Sequence, residues 1–236
     1  MNKNRDIVIP CDFPNMETLQ TFLGKMGDKR LFCKVGMELY YSEGERVVWA
    51  LKEAGHRVFL DLKLHDIPNT VRNAMAVLSK FEVDMINLHA GGGRAMMEAA
   101  LDGITTGGRR KPITIAVTIL TSLGDDVLRN ELLIKNGASE TALHYAKNAK
   151  AAGLCGVVCS PLEAGMVHAA CGDDFVTVTP GVRFAASEVG DQVRVTTPAQ
   201  ARELGSDFIV VGRPITGASD PLEAYKRCAA EFGMSE

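Results

Sequence analysis

Val58-Phe59-Leu60-Asp61-Leu62-Lys63-Leu64-His65-Asp66-Ile67-Pro68-Asn69-Thr70 is the stretch on which the reading of the fold turns. A short apolar run, residues 58–60, is followed by charged groups and then, past a proline, by a helix-compatible stretch over residues 70–80. An apolar run without strict polar alternation suits a strand buried on both faces of a parallel sheet. The same beat repeats in both directions along the chain. Apolar runs recur at residues 7–10, 31–36, 85–88, 113–119, 156–159, 175–178 and 208–211. Helix-compatible stretches lie between and after them, at 16–26, 42–54, 94–102, 139–151, 161–170, 198–203 and 221–232. Ser139 before Glu140, Ser160 before Pro161 and Thr197 before Pro198 are signals for helix starts. Eight strands alternating with eight helices predict a (β/α)₈ TIM barrel occupying residues 1–236 as one domain. A doubly wound sheet would use fewer strands and would often place a glycine-rich phosphate loop after the first, where none stands.

A barrel of this kind builds its active site from strand C-terminal ends and the loops that follow. That rule sorts the polar residues. Asp12 follows the first run, Lys34 lies late in the second, and Asp61 and Lys63 end the third. His89 closes the fourth, Thr121 and Ser122 follow the fifth, and Ser160 follows the sixth. Arg183 comes after the seventh and Gly212-Arg213 ends the eighth. Distant parts of the chain therefore send chargeable groups to one rim.

On an extended strand end, residues two apart share a face, which would bring the Asp61 carboxylate and the Lys63 ammonium together. With Lys34 on the neighbouring strand and Asp66 on the loop, two ammoniums and two carboxylates alternate, and each anion favours the charged form of its neighbour. Spacing alone leaves two readings open, a structural ion-pair network at a barrel rim or an active site.

The composition is that of a globular protein, 46% hydrophobic and 23% charged. A net charge of −3 speaks against a general nucleic-acid binder but allows a small phosphorylated ligand held by one or two arginines. No apolar run approaches a membrane span, and the N-terminal apolar stretch is too short for a secretion signal. The six cysteines are scattered without a CxxC spacing, which predicts buried thiols in a reducing cytoplasm and neither a disulfide framework nor a zinc site. His65 and His89 show no HxH or HExxH spacing and read as hydrogen-bonded packing residues. Trp49 and Met96-Met97 read as core or interface filling.

Asp61–Val71, read as DxKxHDIPNTV, resembles the signature of the orotidine 5′-monophosphate decarboxylases. The similarity continues in order through Lys34-Val35-Gly36-Met37-Glu38, His89-Ala90-Gly91-Gly92, Leu120-Thr121-Ser122, Thr179-Pro180-Gly181-Val182-Arg183, Asp191-Gln192 and Val211-Gly212-Arg213. Pro10-Cys11 departs from the Ala-Leu more often found before Asp12, a change expected to alter strand packing and not chemistry. The resemblance implies a carboxy-lyase that works without metal or cofactor on a nucleotide. It implies a catalytic network of Lys34, Asp61, Lys63 and Asp66, with Lys63 as proton donor. It further implies a homodimer in which Asp66 and Thr70 reach into the partner's site. Asp12 and Lys34 would hold ribose hydroxyls, Thr121 with Ser122 the pyrimidine edge, and Arg183, Gly212 and Arg213 the phosphate. Gln192 would bridge phosphate and base. A magnesium-dependent sugar-phosphate decarboxylase or synthase shares the Asp-x-Lys-x-x-Asp core and is the nearest alternative, although the HDIPNT continuation and Gln192 speak against it. A non-catalytic phosphate-binding barrel is the alternative from a different class.

Overall fold

A computed structural model of the protein describes residues 5–108, 110–185 and 195–234. Its centre is a closed barrel of eight parallel strands, each hydrogen-bonded to the next in chain order, and the eighth to the first. The strands are β1 (Asp6–Pro10), β2 (Phe32–Val35), β3 (Arg57–Leu64), β4 (Met85–His89), β5 (Ile113–Val117), β6 (Gly156–Val158), β7 (Val176–Thr179) and β8 (Phe208–Val210). Closure is made by Asp6, Ile7 and Val8 registering against Phe208, Ile209 and Val210.

The helices of the first half are α1 (Met16–Lys25), α2 (Met37–Glu43), α3 (Arg46–Glu53), α4 (Pro68–Leu78) and α5 (Arg94–Gly107). Those of the second half are α6 (Asp125–Asn130), α7 (Ala138–Ala151), α8 (Pro161–Cys171), α9 (Pro198–Glu203), α10 (Arg213–Thr216) and α11 (Pro221–Phe232). The barrel expected from the strand–helix beat is the fold observed. Eleven α-helices stand among the described residues where eight were expected, with α6 and α10 lying in no expected stretch. The helical stretch expected at 42–54 begins earlier, at Met37, and is two helices, because Gly44 at φ 64 ends α2 before α3 begins. The third strand runs from Arg57 to Leu64, longer than the apolar run 58–60, with Asp61 and Lys63 near its end as expected. Ser139 lies inside α7 and does not cap it; Asp125 instead accepts from the Ala138 N–H at 2.8 Å. Ser160 and Thr197 do cap α8 and α9, each in a reciprocal box with Glu163 or Gln200.

Two apolar layers carry the barrel. Inside it, Val8, Phe32, Phe59, Met85, Ile115, Val178 and Phe208 form one cluster. Between strands and helices lies the larger core, which includes Met96 and Met97, both fully buried. Trp49 is partly exposed and meets Phe81 edge-on. The N-terminal pole is fastened by buried carboxylates. Asp84 accepts from the Val58 N–H at 2.8 Å and pairs with Lys52 at 2.9 Å, and Asp207 accepts from the Thr177 N–H at 2.8 Å. These bonds fix where strands start, so the inward-facing residues further up arrive at a common height.

Helices α4 and α5 approach closely enough that a Cβ on Gly103 would lie 2.1 Å from the Arg72 carbonyl oxygen. Gly103→Ala must push the two helices apart and is expected to cost about 1–3 kcal/mol. Gly24, on exposed α1, has nothing within 4 Å of its missing Cβ. Gly24→Ala is expected to be stabilising by about 0.5–1 kcal/mol. Urea unfolding of both variants checks the pair, and equal effects would remove the close-packing account.

Candidate active site

Along each strand the inward residues change character with height. On β2 to β4, interior Phe32, Phe59 and Met85 are followed two residues later by Lys34, Asp61 and Asn87. The apolar layer closes the barrel below, and polar groups stand above it at the C-terminal end.

The strand that carries Asp61 and Lys63 is irregular there. Leu60 registers with Ile86, but Leu64 registers with Leu88, so four residues of β3 oppose two of β4. The excess is taken up in a bulge where Lys63 adopts φ 52, in the left-handed region. For a residue other than glycine this costs on the order of 1–3 kcal/mol and is found where the surroundings over-determine it. Asp61 and Lys63 do meet, but through the bulge, because Lys63 lies outside the extended region assumed from the sequence.

The bulge deprives the Lys63 backbone N–H of a strand partner, and the Asn87 side-chain oxygen accepts it at 2.9 Å. The same amide donates through Nδ2 to Asp61 Oδ1 at 2.6 Å. Asp61 Oδ1 also meets Lys63 Nζ at 2.8 Å, and Asp61 Oδ2 meets Lys34 Nζ at 3.1 Å. Lys34 reaches Asp12 at 3.3 Å on its other side. Gly36 makes room for that contact, since a Cβ there would come within 3.2 Å of both Asp12 Oδ1 and Lys34 Nζ.

Burial pushes the Asp61 carboxyl up, but the charges of Lys34 and Lys63, with hydrogen bonds from Lys63 and Asn87, outweigh it and hold the group below the usual carboxylate range. Burial likewise pulls the Lys34 ammonium down, and Asp61 and Asp12 reverse this to hold it above its ordinary value. Burial, then the charges of His65 and Lys63, keep His89 below the ordinary imidazole range. Its ring stacks on His65 at 5.4 Å between centroids.

These groups line a cavity of about 240 Å³ whose wall includes Lys34, Asp61, Lys63 and Asn87 and whose lip carries Thr121 and Ser122. Its floor is apolar, with Phe59, Val117, Val158 and Val178. The two ammoniums thus border a pocket with an apolar floor. A larger cavity at the opposite pole is lined by residues that include Arg5, Asp6, Arg57, Asp173 and Asp207. Asp6 on β1 pairs with Arg57 on β3, and Asp207 accepts from the Thr177 N–H of β7, so these two carboxylates tie strand starts.

The remaining expected site residues are placed unequally. His65 to Thr70 is a run of exposed residues, and the Asp66 carboxylate accepts from the Ile67 N–H at 2.6 Å. Arg183 is buried and donates to the Val182 carbonyl at 3.0 Å. Gly212 begins α10 with Pro10 packed against it, 3.0 Å from where its Cβ would be. The Pro10 departure therefore touches strand packing at the rim. Arg213 is exposed on the first turn of α10. Gln192 lies outside the described residues. Asn87 and Gly36 were not singled out from sequence as site residues. A lone polar residue two places after interior Met85, in the run Met85-Ile86-Asn87-Leu88, was the available signal.

The family model described as "Orotidine 5'-phosphate decarboxylase / HUMPS family" matches residues 5–228. The chain belongs to that family. A protein of Geobacillus sp. (strain WCH70) named orotidine 5'-phosphate decarboxylase is 53% identical over 236 residues, 99% of each chain. One of the same name from Bacillus anthracis (strain CDC 684 / NRRL 3495) is 52% identical over 226 residues, covering 94% of this chain and 95% of that one. The crystal structure of orotidine 5'-phosphate decarboxylase from Lactobacillus acidophilus superposes with a TM-score of 0.87 at 46% identity, covering 97% of this chain and 99% of that one. Among the described residues no helix is long and apolar enough to cross a membrane.

Because folding lowers the Asp61 pKa, ionised Asp61 stabilises the fold above about pH 4, and that contribution is lost as pH falls through the lowered value. Lys34, held above its ordinary value, stabilises below about pH 10 and loses that contribution only as pH rises through the raised value. Unfolding free energy of the unaltered chain should therefore fall more steeply from about pH 5 to about pH 2 than that of Asp61→Asn. Parallel curves would contradict this assignment of the Asp61 charge.

Proposed function

We propose that this chain is an orotidine 5'-phosphate decarboxylase, converting orotidine 5'-monophosphate to uridine 5'-monophosphate and CO₂ as a cytoplasmic homodimer without metal or cofactor. The observation that carries the reading is the buried Asp61 carboxylate held between two ammoniums at the wall of the cavity, in a chain of this family.

Breaking the C6–carboxylate bond leaves its electron pair in an sp² orbital on C6, with no adjacent carbonyl to receive it. The site must stabilise that charge in place and then protonate it. Lys63 Nζ suits both tasks, because its ammonium borders the cavity and its proton can pass to C6, the amine regaining one from solvent. A unit charge about 4 Å away is worth roughly 4 kcal/mol at an effective dielectric near 20. That is too little alone, so Lys34 and binding energy drawn from the phosphate must add to it. Asp61 stands where it would repel the substrate carboxylate, a repulsion relieved as CO₂ leaves.

Asp12 and Lys34 are read as ribose contacts, Thr121 with Ser122 as the reader of the pyrimidine edge, and Arg183, Gln192, Gly212 and Arg213 as the phosphate grip. A guanidinium pairs with phosphate through two hydrogen bonds, and glycine lets the backbone approach. Both Asp61 oxygens face ammoniums, which disfavours a divalent cation on that carboxylate. The free cysteines fit a reducing compartment. The exposed position of Asp66 and Thr70 supports their delivery to a partner subunit.

Orotidine 5'-monophosphate absorbance should change on mixing with the protein in EDTA-containing buffer, and Lys63→Ala should lower the rate at least about a thousand-fold. Activity abolished by EDTA would point to the magnesium-dependent sugar-phosphate chemistry, and an unaffected Lys63→Ala would remove Lys63 from the mechanism. For the shared site, inactive Lys63→Ala and Asp66→Asn chains are refolded together. Hybrid dimers would hold one intact site, so the mixture should recover about a quarter of full activity. No recovery would place Asp66 in its own subunit's site.

A further inference from the structure

We infer that Asn87 is a positioning residue for the decarboxylation, holding the strained Lys63 backbone and the Asp61 carboxylate in one fixed relation. The inference rests on the reading of Lys63 as proton donor. Asn87 is 1% exposed, and its one amide group serves both residues, accepting from the Lys63 N–H at 2.9 Å and donating to Asp61 Oδ1 at 2.6 Å. The orientation of the amide is dictated by its neighbours, because an N–H requires the oxygen and a carboxylate requires the nitrogen.

The consequence follows from the bulge. Lys63 sits at φ 52 where β3 slips against β4, and the Asn87 oxygen takes the place of the ladder partner that the slip removed. Without it the backbone can relax toward ordinary strand geometry, which swings the Lys63 side chain off its present line. At the other end of the amide, Asp61 Oδ1 is shared between Asn87 and Lys63 Nζ. Loss of the donor frees that oxygen to rotate, so both the ammonium and its anion lose their alignment over the cavity. Small displacements of a reacting group carry large rate penalties when its position is most of what the protein supplies.

The groups facing Asp61 are Lys34 from β2, Lys63 from its own strand, and Asn87 and His89 from β4; Asp12 acts through Lys34, and His65 lies against His89. Asn87 is the uncharged hydrogen-bond donor to Asp61 within that set. Asn87→Asp keeps an acceptor for the Lys63 N–H but sets a second carboxylate against Asp61, and two such groups in contact share a proton.

The test is steady-state decarboxylation of orotidine 5'-monophosphate by Asn87→Ala and Asn87→Asp across pH, with each rate divided by the folded fraction from urea unfolding. Asn87→Ala should lower kcat about 10- to 100-fold while KM moves less than about 3-fold, since the proposed phosphate and ribose contacts are untouched. Asn87→Asp, nearly the same shape, should lose more than Asn87→Ala at neutral pH and show its acid limb displaced to higher pH. A purely structural residue would reduce the folded fraction and leave kcat per folded chain and the pH profile unchanged, which overturns the proposal. If Asn87→Ala does not fold, the pH profile of Asn87→Asp decides alone. An inactive unaltered chain would instead overturn the decarboxylase reading itself.

Discussion

A carboxylate cannot be buried at the edge of an apolar barrel unless positive charge comes to meet it, and Asp61 is met on both of its oxygens. The rest of the upper barrel follows from satisfying that group. One ammonium comes from the neighbouring strand and one from the same strand two residues on, and the amide of Asn87 comes from the strand on the far side. Three adjacent strands must therefore end at matched heights. At the other pole buried Asp84, just before β4, accepts from the Val58 N–H of β3 and so ties the starts of two of these strands.

The same constraint explains the strain at Lys63. A regular β3 would carry a full ladder to β4 and leave no bulge for Lys63 to occupy. The observed strand gives up ladder bonds, accepts a left-handed residue and uses a side-chain amide to replace one lost partner. Local stability is surrendered where the chemistry is placed, and the layer of Phe32, Phe59 and Met85 directly beneath provides the packing that tolerates it. The pocket above has an apolar floor and a charged wall. Both strengthen the field that an ammonium exerts on a developing negative charge.

Much of this was legible in the residues themselves. Periodicity separated strands from helices because an interior strand of a parallel barrel must be apolar on both faces, and the rule that function gathers at strand C-termini then selected Lys34, Asp61 and Lys63. The resemblance of Asp61–Val71 and its companions in order pointed to the family that the comparisons establish. The limits are equally specific. The division of 42–54 into two helices depends on the single positive φ at Gly44, and the length of the third strand depends on pairing partners far away in sequence.

What the sequence by itself determined is the barrel and the identity of the ionisable set, since composition, apolar period and charge position are properties of local stretches. Only the tertiary structure decided how that set is held. The meeting of Asp61 with Lys63 depends on a register slip between β3 and β4, which exists only once the two strands pair. Asn87 looked like one more residue of an apolar run, and its place between the Lys63 backbone and the Asp61 carboxylate emerges because barrel closure turns it inward. Arg183 likewise reads as a loop residue and is buried. Hydrogen bonds and desolvation act over a few ångströms between residues tens of positions apart, and the folded chain is what brings those distances into being.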